Sequence, residues 1–450
     1  MFDGSRSANS REIWIVNHYA ITPDLPGGTR HYDFAVELAK MGYEVCIFAS
    51  DVNLALRRHT RLESGELYRE ESINGVRFVW VRAATYQKND WRRVWNMLSF
   101  ALNVFRVGVR LRGSPKAVIG SSPHPFAALV AWVISKIKHS RFLLELRDLW
   151  PQVLIDMGGM AEHSVPARIL RLLERFLYRV AAKIIVLASG SREYLLHRGV
   201  PSDKIVYIPN GVYLTNFQVR ESSGPVLVES ARNCIQEQEA DQETVHAASA
   251  ASEETMPPQQ SAARRKFGFA RFTVVYTGAH GPANALETIL GAAQILRSRN
   301  DVEFVLVGDG PAKGALVREA ANRGLDNVRF MDPIPKENIP SLLGAADAAV
   351  ITLRAVDAFS YGISPNKLFD YMAAAKPVIC AVPGEIARLV TDNGAGIAVE
   401  PENPMALAHA VEQLVNMGDA ERAAMGHRGR LLVEHDFSRE KLARRLARLV

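Results

Sequence analysis

Lys367 and Asp370 stand one helical turn apart in the run Ser364-Pro365-Asn366-Lys367-Leu368-Phe369-Asp370-Tyr371-Met372-Ala373. An ammonium group is a compact charge suited to a phosphate, and a carboxylate can accept hydrogen bonds from two vicinal ribose hydroxyls. Pro365 breaks a loop and opens a fresh helix, whose N-terminal N–H groups and dipole favour the same anion. The set fits a nucleoside diphosphate: Lys367 on the phosphate nearest the breaking bond, Asp370 near the helix start on the ribose, Ser364 and Asn366 beside them. The plainer alternative makes Asp370 a partner of the helix dipole and Lys367 a solvated side chain.

Other loops repeat the theme. Gly278-Ala279-His280-Gly281 follows an apolar strand; Gly278 and Gly281 let a phosphate approach the backbone, and His280 can donate to it. Asp309 lies in a Gly308-Asp309-Gly310-Pro311 turn that lacks the Gly-x-Gly-x-x-Gly fingerprint, which disfavours nicotinamide or flavin. Near the N-terminus, Gly27 and Gly28 precede a helix and offer a second surface for close approach. Arg30 there is either a phosphate partner or an exposed helix residue. Arg147 and Asp148 end an apolar strand, where reactive groups gather in α/β sheets. Asp148 orients a hydroxyl, pairs with Arg147 or caps a turn; His124, between Pro123 and Pro125, is the other catalytic candidate, with a purely structural role as its alternative. No Asp-x-Asp motif sits at a strand-to-loop position, so no divalent metal is expected.

These groups need two sheets to hold them. At 450 residues, 48% hydrophobic and 23% charged, the chain has room for two globular domains. Near-continuous apolar strands are expected at 13–16, 45–48, 76–81, 117–119, 142–146, 184–187 and 205–208. A second series is expected at 272–276, 302–307, 328–331, 349–353, 378–382 and 397–399. Helical patterns between them predict two doubly wound parallel sheets, class α/β, with the carboxyl ends of both facing one cleft. The expected domains are 1–215 and 269–450, the second ending in a helix free to pack back on the first. Residues 216–268 are rich in Glu, Gln, Ser and Ala and read as a disordered or weakly helical insertion.

The three cysteines, an odd and unclustered set, fit neither a disulfide framework nor a zinc site. No apolar stretch is long enough for a membrane span, and the first eleven residues lack a signal-peptide core, so a cytoplasmic location is expected. The net charge of +6 calls for an acidic partner. From Arg82 to Arg112 seven basic residues face only Asp90, with Trp91, Trp95, Leu98, Phe100, Leu102 and Phe105 between them, and the segment Tyr86 to Arg112 carries most of them. That pattern predicts a basic amphipathic helix, or helix pair, resting on an anionic membrane surface; an ordinary surface helix is its rival.

The order of these motifs, with Val307-Gly308-Asp309-Gly310-Pro311, Asn327-Val328-Arg329-Phe330 and Glu145-Leu146-Arg147-Asp148-Leu149-Trp150-Pro151, resembles the retaining GT-B glycosyltransferases of the family-4 type. The Arg-Asp-Leu-Trp-Pro and Ser-Pro-Asn-Lys runs are most similar to the WbuB-like branch, which builds bacterial surface polysaccharides. The resemblance covers nearly the whole chain outside the insertion. It implies a GT-B fold and transfer of a sugar from a nucleotide-diphosphate donor, by resemblance a UDP-N-acetylhexosamine or deoxy relative, to a hydroxyl with retention. It also implies a donor held mainly by the second domain, a polyprenyl-diphosphate-linked saccharide acceptor on the first, and peripheral attachment to the inner face of the plasma membrane. Asp370 matches the second acid of the family's paired-glutamate motif. The first would fall near Gly362, where no acid stands, so Ser360, Tyr361 or backbone N–H groups would contact the sugar instead. The basic pair common near Gly278 is also missing, which gives Lys367 more weight. Two other readings compete: a nucleotide-sugar 2-epimerase of the same fold, and a non-catalytic basic protein that binds nucleic acid, which lacks any recognisable module for it.

Overall fold

The computed structural model describes residues 10–25, 27–54, 56–88, 90–217, 258–356 and 362–450. The first sheet contains β1 (Glu12–Val16), β2 (Glu44–Ser50), β3 (Tyr68–Ile73), β4 (Val76–Val81), β5 (Ala117–Ser121), β6 (Arg141–Leu146), β7 (Lys183–Val186) and β8 (Ile205–Tyr207). Their order is β3-β4-β2-β1-β5-β6-β7-β8, and every pairing is parallel except β3 with β4. The second sheet, β9 (Phe272–Thr277), β10 (Val302–Val307), β11 (Val328–Met331), β12 (Ala348–Thr352), β13 (Val378–Ala381) and β14 (Gly396–Ala398), is parallel throughout in the order β11-β10-β9-β12-β13-β14. Strands buried on both faces explain the unbroken apolar runs of the sequence. This is the GT-B architecture that the motifs imply.

Each sheet reverses its direction of growth once, between β1 and β5 in the first and between β9 and β12 in the second. The loops leaving those strands diverge to opposite faces and open a crevice at the carboxyl ends. The first crevice receives His18 and His124; the second receives the Gly278–Asn284 loop and the loop before Lys367. The candidate chemistry is therefore where topology leaves space.

In the first domain, α1 (Arg30–Lys40) covers one face of the sheet, burying Phe34 and Leu38 against Ile13 and Ile15. The other face is covered by α2 (Trp91–Arg110), α3 (Pro125–Ile137) and α5 (Val165–Val180), around Phe100, Val104, Ile134 and Leu177. The shorter α4 (Gln152–Asp156) and α6 (Gly190–His197) complete the set. Gly108 of α2 allows its close approach to α3, since a Cβ there would lie 2.6 Å from Ile134 Cδ1. The basic amphipathic segment is one 20-residue helix, started by Asp90, whose carboxylate accepts from the Arg92 N–H. Among the described residues no helix is long and apolar enough to cross a membrane.

The insertion is shorter than its composition implies. Residues 218–257 lie outside the described residues, but Pro258–Phe267 is a helix of the second domain. Arg264 fixes it by donating to Asp347 and to the carbonyls of Ala345 and Arg271. Further elements go beyond the sequence reading, among them the edge strand β3, the short α4 and the helices Glu385–Asp392 and Asp419–Asp436.

The chain crosses between domains twice. After β8 it runs through Asn210, Gly211 and Val212; it returns at Phe437–Arg439, and the last helix, Arg439–Ala447, lays Leu442, Ala443 and Leu446 in the core of the first domain. The two crossings touch: Val212 and Ser438 form a parallel bridge, with Val212 N–H donating to Phe437 O and Arg439 N–H to Val212 O. Gly211 is required by this contact, because a Cβ would fall 2.2 Å from the Phe437 oxygen. Gly211→Ala is expected to push the strands apart and cost roughly 1–3 kcal/mol, read as a lower urea midpoint. An unchanged midpoint would show that the crossings are free to separate.

Candidate active site

The second-domain wall is a backbone cradle. Gly278 (φ 136°), Gly308 (φ 148°) and Gly310 (φ 159°) adopt conformations that side chains disfavour. They also touch: a Cβ on Gly308 would lie 1.9 Å from Gly278 O, and one on Gly310 2.5 Å from His280 O. Asp309 is exposed at the turn, where its carboxylate accepts from the Gly310 N–H and its carbonyl from the His280 N–H. Gly281 leads into a single helical turn at Pro282–Asn284.

Lys367 closes the cradle. Its Nζ stands 3.1 Å from where a Gly278 Cβ would be. It donates to Tyr276 Oη at 2.6 Å and Asn284 Oδ1 at 3.3 Å, and lies 3.9 Å from the centre of the Tyr276 ring. No carboxylate pairs with it among the described residues. Burial pulls its pKa down to about 7. His280 is also buried, with both ring nitrogens unpartnered, and burial with Lys313 nearby lowers its pKa to about 4, so at neutral pH it is an uncharged imidazole. The N–H groups of Gly278, His280, Gly308 and Gly310 already donate to Val307 O, Asp309 O, Met331 O and Asp309 Oδ1, so the group of this wall that an incoming phosphate would meet is the Lys367 amine, which has no carboxylate partner among the described residues.

Asp370 points elsewhere. The helix is Asn366–Ala373, so Asp370 lies in its second turn rather than at its start, and the first turn holds no acid to meet the dipole. Although one turn apart, Lys367 and Asp370 make no ion pair: the first faces Tyr276, the second Lys336, Arg439 and Asp33. Burial raises the Asp370 pKa to about 6 against the pull of Lys336 and Arg439. Asn366 has a buried, unpartnered Oδ1, and its Nδ2 stands 3.3 Å from a Cβ position on Gly28, so the two loops meet across the cleft. The Ser364 hydroxyl is taken up by the Asn210 N–H at 2.8 Å, an interdomain bond. Tyr361 and Ser360 lie outside the described residues.

On the first domain, Gly27 (φ 139°) and Gly28 turn the chain into α1. Arg30 is neither a phosphate partner nor exposed. At 1% exposure it donates to Glu145 Oε1 (2.9 Å), Ile208 O (2.8 Å), Pro209 O (2.5 Å) and Asn210 Oδ1 (3.3 Å), four bonds made inside the core and away from the surface. Glu145 also bonds His31 Nε2 and Ser121 Oγ, both at 2.6 Å. Burial alone would raise its pKa, yet Arg30, His31 and Ser121 hold it well below the usual carboxylate range.

Arg147 and Asp148 do not pair with each other, and among the described residues the Arg147 guanidinium has no partner. Asp148 is open to solvent, but the surrounding cleft walls raise its pKa against the pull of Arg147. His124 is fully buried and caps α3, its Nδ1 accepting from the Ala127 N–H at 3.4 Å. Its Nε2 lies 2.8 Å from His18 Nδ1, and burial lowers its pKa to about 3. It is a neutral ring fixed by a second histidine.

Sequence reasoning missed the residues that join the walls. Lys336 donates to Thr29 Oγ1 at 2.6 Å. Glu385 accepts from the N–H groups of Ser189 (2.8 Å) and Gly190 (3.2 Å). Arg439 lies 3.3 Å from Asp33. Glu145 alone carried a signal, an acid inside an otherwise apolar strand.

The comparisons agree with this geometry. The glycosyl transferase 4-like domain model matches residues 27–211, and the model for glycosyl transferases group 1 matches residues 271–417. WcaI from Escherichia coli (strain K12), named as a colanic acid biosynthesis glycosyl transferase, is 23% identical over 434 residues, 93% of this chain and 96% of that protein. Sucrose-phosphate synthase from Thermosynechococcus elongatus has a TM-score of 0.70 at 18% identity, over 97% of this chain and 98% of its own. Anabaena HepE in complex with UDP-glucose has a TM-score of 0.66 at 16% identity, with the same coverage. At these identities the structural likeness carries the fold.

Lys367 makes the cradle testable. Because its pKa lies near 7, it is largely neutral above that pH, and a bound phosphate would restore the ammonium. Calorimetry of UDP binding above pH 7 in buffers of different ionisation enthalpy is expected to reveal net proton uptake that Lys367→Met abolishes. Binding without uptake in the unmodified protein would remove Lys367 from the phosphate.

Proposed function

Because the chain belongs to the group 1 glycosyl transferases, with a glycosyl transferase 4-like domain ahead of the group 1 domain, we propose that it transfers a sugar from a nucleotide-diphosphate donor to a lipid-linked saccharide acceptor, with retention of configuration, in surface polysaccharide or O-antigen synthesis. The donor proposed is a UDP-N-acetylhexosamine or a deoxy relative. The observation that carries this reading is Lys367, a half-buried amine that, among the described residues, has no carboxylate partner beside the Gly278 and Gly308 turns. The colanic acid relative and the UDP-glucose-bound neighbour support the pathway class and the donor class.

In this reading the diphosphate lies against Gly278, Gly281 and Gly308, with Gly27 and Gly28 covering it from the first domain. Asp370 takes the ribose hydroxyls, and Asn366 and the Asp309 turn line the donor. The acceptor oxygen attacks the anomeric carbon on the face that the diphosphate leaves. The bond to the β-phosphate oxygen breaks, and that oxygen takes the acceptor proton. Lys367 and the Gly281 N–H stabilise the charge that develops on the leaving group. Asp148 orients the acceptor hydroxyl, while His124, neutral and held by His18, acts as a positioning residue. Attack on the leaving-group face gives retention without an enzyme nucleophile, and no metal is assigned. The acceptor's lipid would lie in an anionic bilayer met by Tyr86–Arg112, which puts the enzyme at the cytoplasmic face of the membrane.

Two measurements test this. Release of UDP from a UDP-N-acetylhexosamine is expected to depend on added polyprenyl-diphosphate saccharide, with an α-linked product by NMR from an α-linked donor. Release independent of acceptor, or an inverted product, would overturn the assignment. For Asp370→Asn, the loss of a half-buried charge that the fold disfavours is expected to leave the melting temperature unchanged or higher at neutral pH, while affinity for UDP falls by about tenfold or more, as for a lost charge-assisted hydrogen bond. Full affinity in that variant would take Asp370 out of the site.

A further inference from the structure

The outer face of the first domain carries a second feature that matches α2. On α5, Val165 (67% exposed), Ile169 (56%) and Leu172 (65%) recur at the spacing that places them on one side of a helix. Arg168, Arg175 and Arg179 are exposed along the same side. The one acid of this helix, Glu174, is buried and bonded to Tyr178 and Tyr194. The face shown to solvent is therefore apolar and cationic with no acid. On α2 the exposed residues follow the same rule: Trp91 (69%), Trp95 (51%), Leu102 and Phe105 alternate with Arg92, Arg106 and Arg110.

These two helices flank α3 in one layer. Gly108 of α2 meets Ile134, and Phe176 of α5 packs edge-on against Trp132, with ring centroids 4.8 Å apart. The two ridges thus lie on the same face of the sheet. Both helices begin at its carboxyl end, the cleft side: Phe100 of α2 packs 4.3 Å from the His18 ring, which holds His124, and α5 follows the Arg147–Asp148 loop.

We propose that α2 and α5 together form a two-ridged surface that seats the protein on an anionic bilayer, with the cleft mouth at the lipid headgroups. This rests on the membrane contact proposed above for α2 and adds α5 as its second support. One helix could roll about its own axis on a membrane; two parallel ridges joined through α3 fix which edge of the domain faces the lipid. Charge selects the occupant. A second copy of this chain would bring arginine against arginine with no acid between them, which disfavours a dimer. Anionic headgroups meet the guanidinium groups while the aliphatic and indole side chains enter the interface.

The test uses the whole protein with vesicles of phosphatidylcholine alone or mixed with phosphatidylglycerol. Ile169→Glu combined with Leu172→Glu changes only exposed positions, so folding and UDP binding are expected to match the unmodified protein. Flotation with the mixed vesicles is expected to fall by about tenfold or more, in line with the loss of buried apolar area and added repulsion, and phosphatidylcholine alone is expected to bind little. If the α5 variant floats normally while Trp91→Glu with Trp95→Glu does not, α2 acts alone and this inference fails, although the earlier reading stands. If the unmodified protein floats with neither vesicle, the membrane reading itself fails. A concentration-dependent dimer that the α5 substitutions dissolve, or binding to a DNA or RNA duplex that they abolish, would reassign the face to that partner.

Discussion

A carboxylate without access to water, Glu145, is the constraint on which the cleft depends. Its two oxygens are shared among Arg30, His31 and Ser121, which come from α1 and from the end of β5. A buried ion costs several kcal/mol in lost hydration, and only near-complete hydrogen bonding offsets it. Here the bonding does more than neutralise a charge. It pins the first turn of α1, and so the Gly27–Gly28 turn, to the sheet. The same guanidinium reaches Ile208, Pro209 and Asn210, and Asn210 in turn holds Ser364 by two bonds, the backbone N–H to the hydroxyl and the side-chain amide to the carbonyl. One chain of contacts therefore runs from the floor of the first domain to the loop that precedes Lys367. Removing Arg30 or Glu145 would leave the other's charge buried without its ion pair, which is why the network specifies the position of both walls.

How far the sequence revealed this depended on the range of the interaction. Parallel strands are set by local apolar runs, so both sheets could be read directly. The edge strand β3 was hidden by its charged residues, Tyr-Arg-Glu-Glu-Ser-Ile, because only one side of it is covered. Its signal was the turn rather than the strand: Asn74 and Gly75 both have positive φ (49° and 79°), as a tight hairpin demands. Site residues followed the same rule. The positions of Lys367 at a helix start and Gly278 in a turn could be read because such places carry local marks, whereas Asp370, expected near the helix start, falls in its second turn. Arg30 was misread because whether an arginine faces solvent or a buried glutamate 115 positions away is a tertiary fact. Lys336 and Glu385 act only across the cleft, and Arg439 meets Asp33 of α1 from the returning terminal helix, contacts that no spacing in the chain could announce.

The two domains are held by different kinds of contact at different depths. At the crossings the bonds are backbone to backbone, close enough that Gly211 cannot take a side chain. Nearer the mouth they are single polar contacts, Lys336 with Thr29 and Glu385 with the first N–H groups of α6. Such bonds are exchanged for water at little net cost, whereas the crossings cannot part without losing packed core from Phe437 and Leu442. The arrangement places the freedom to open at the mouth and the fixed axis at the base, which suits a cleft that must admit a substrate and then exclude water.

Lys367 and Asp370 carry the final step. Residues three apart on a helix ordinarily pair when their charges are opposite. Had these two done so, each would have been satisfied by the other and neither left for a ligand. Tyr276 prevents it by taking the ammonium onto its ring face and hydroxyl, while Asp370 turns toward Lys336 and Arg439. Burial then shifts both against their charged forms, the lysine down to about 7 and the aspartate up to about 6. Both shifts oppose folding of the ionised protein, and neither group gains a close ion pair that would offset the cost. Strain of this sort is retained where a ligand relieves it. A diphosphate would return the proton to the amine and a ribose diol would hydrogen-bond the carboxylate. The helix thus holds two separated groups without an ion pair, and in the proposed reading a molecule with a phosphate at one end and a diol at the other would meet both at once.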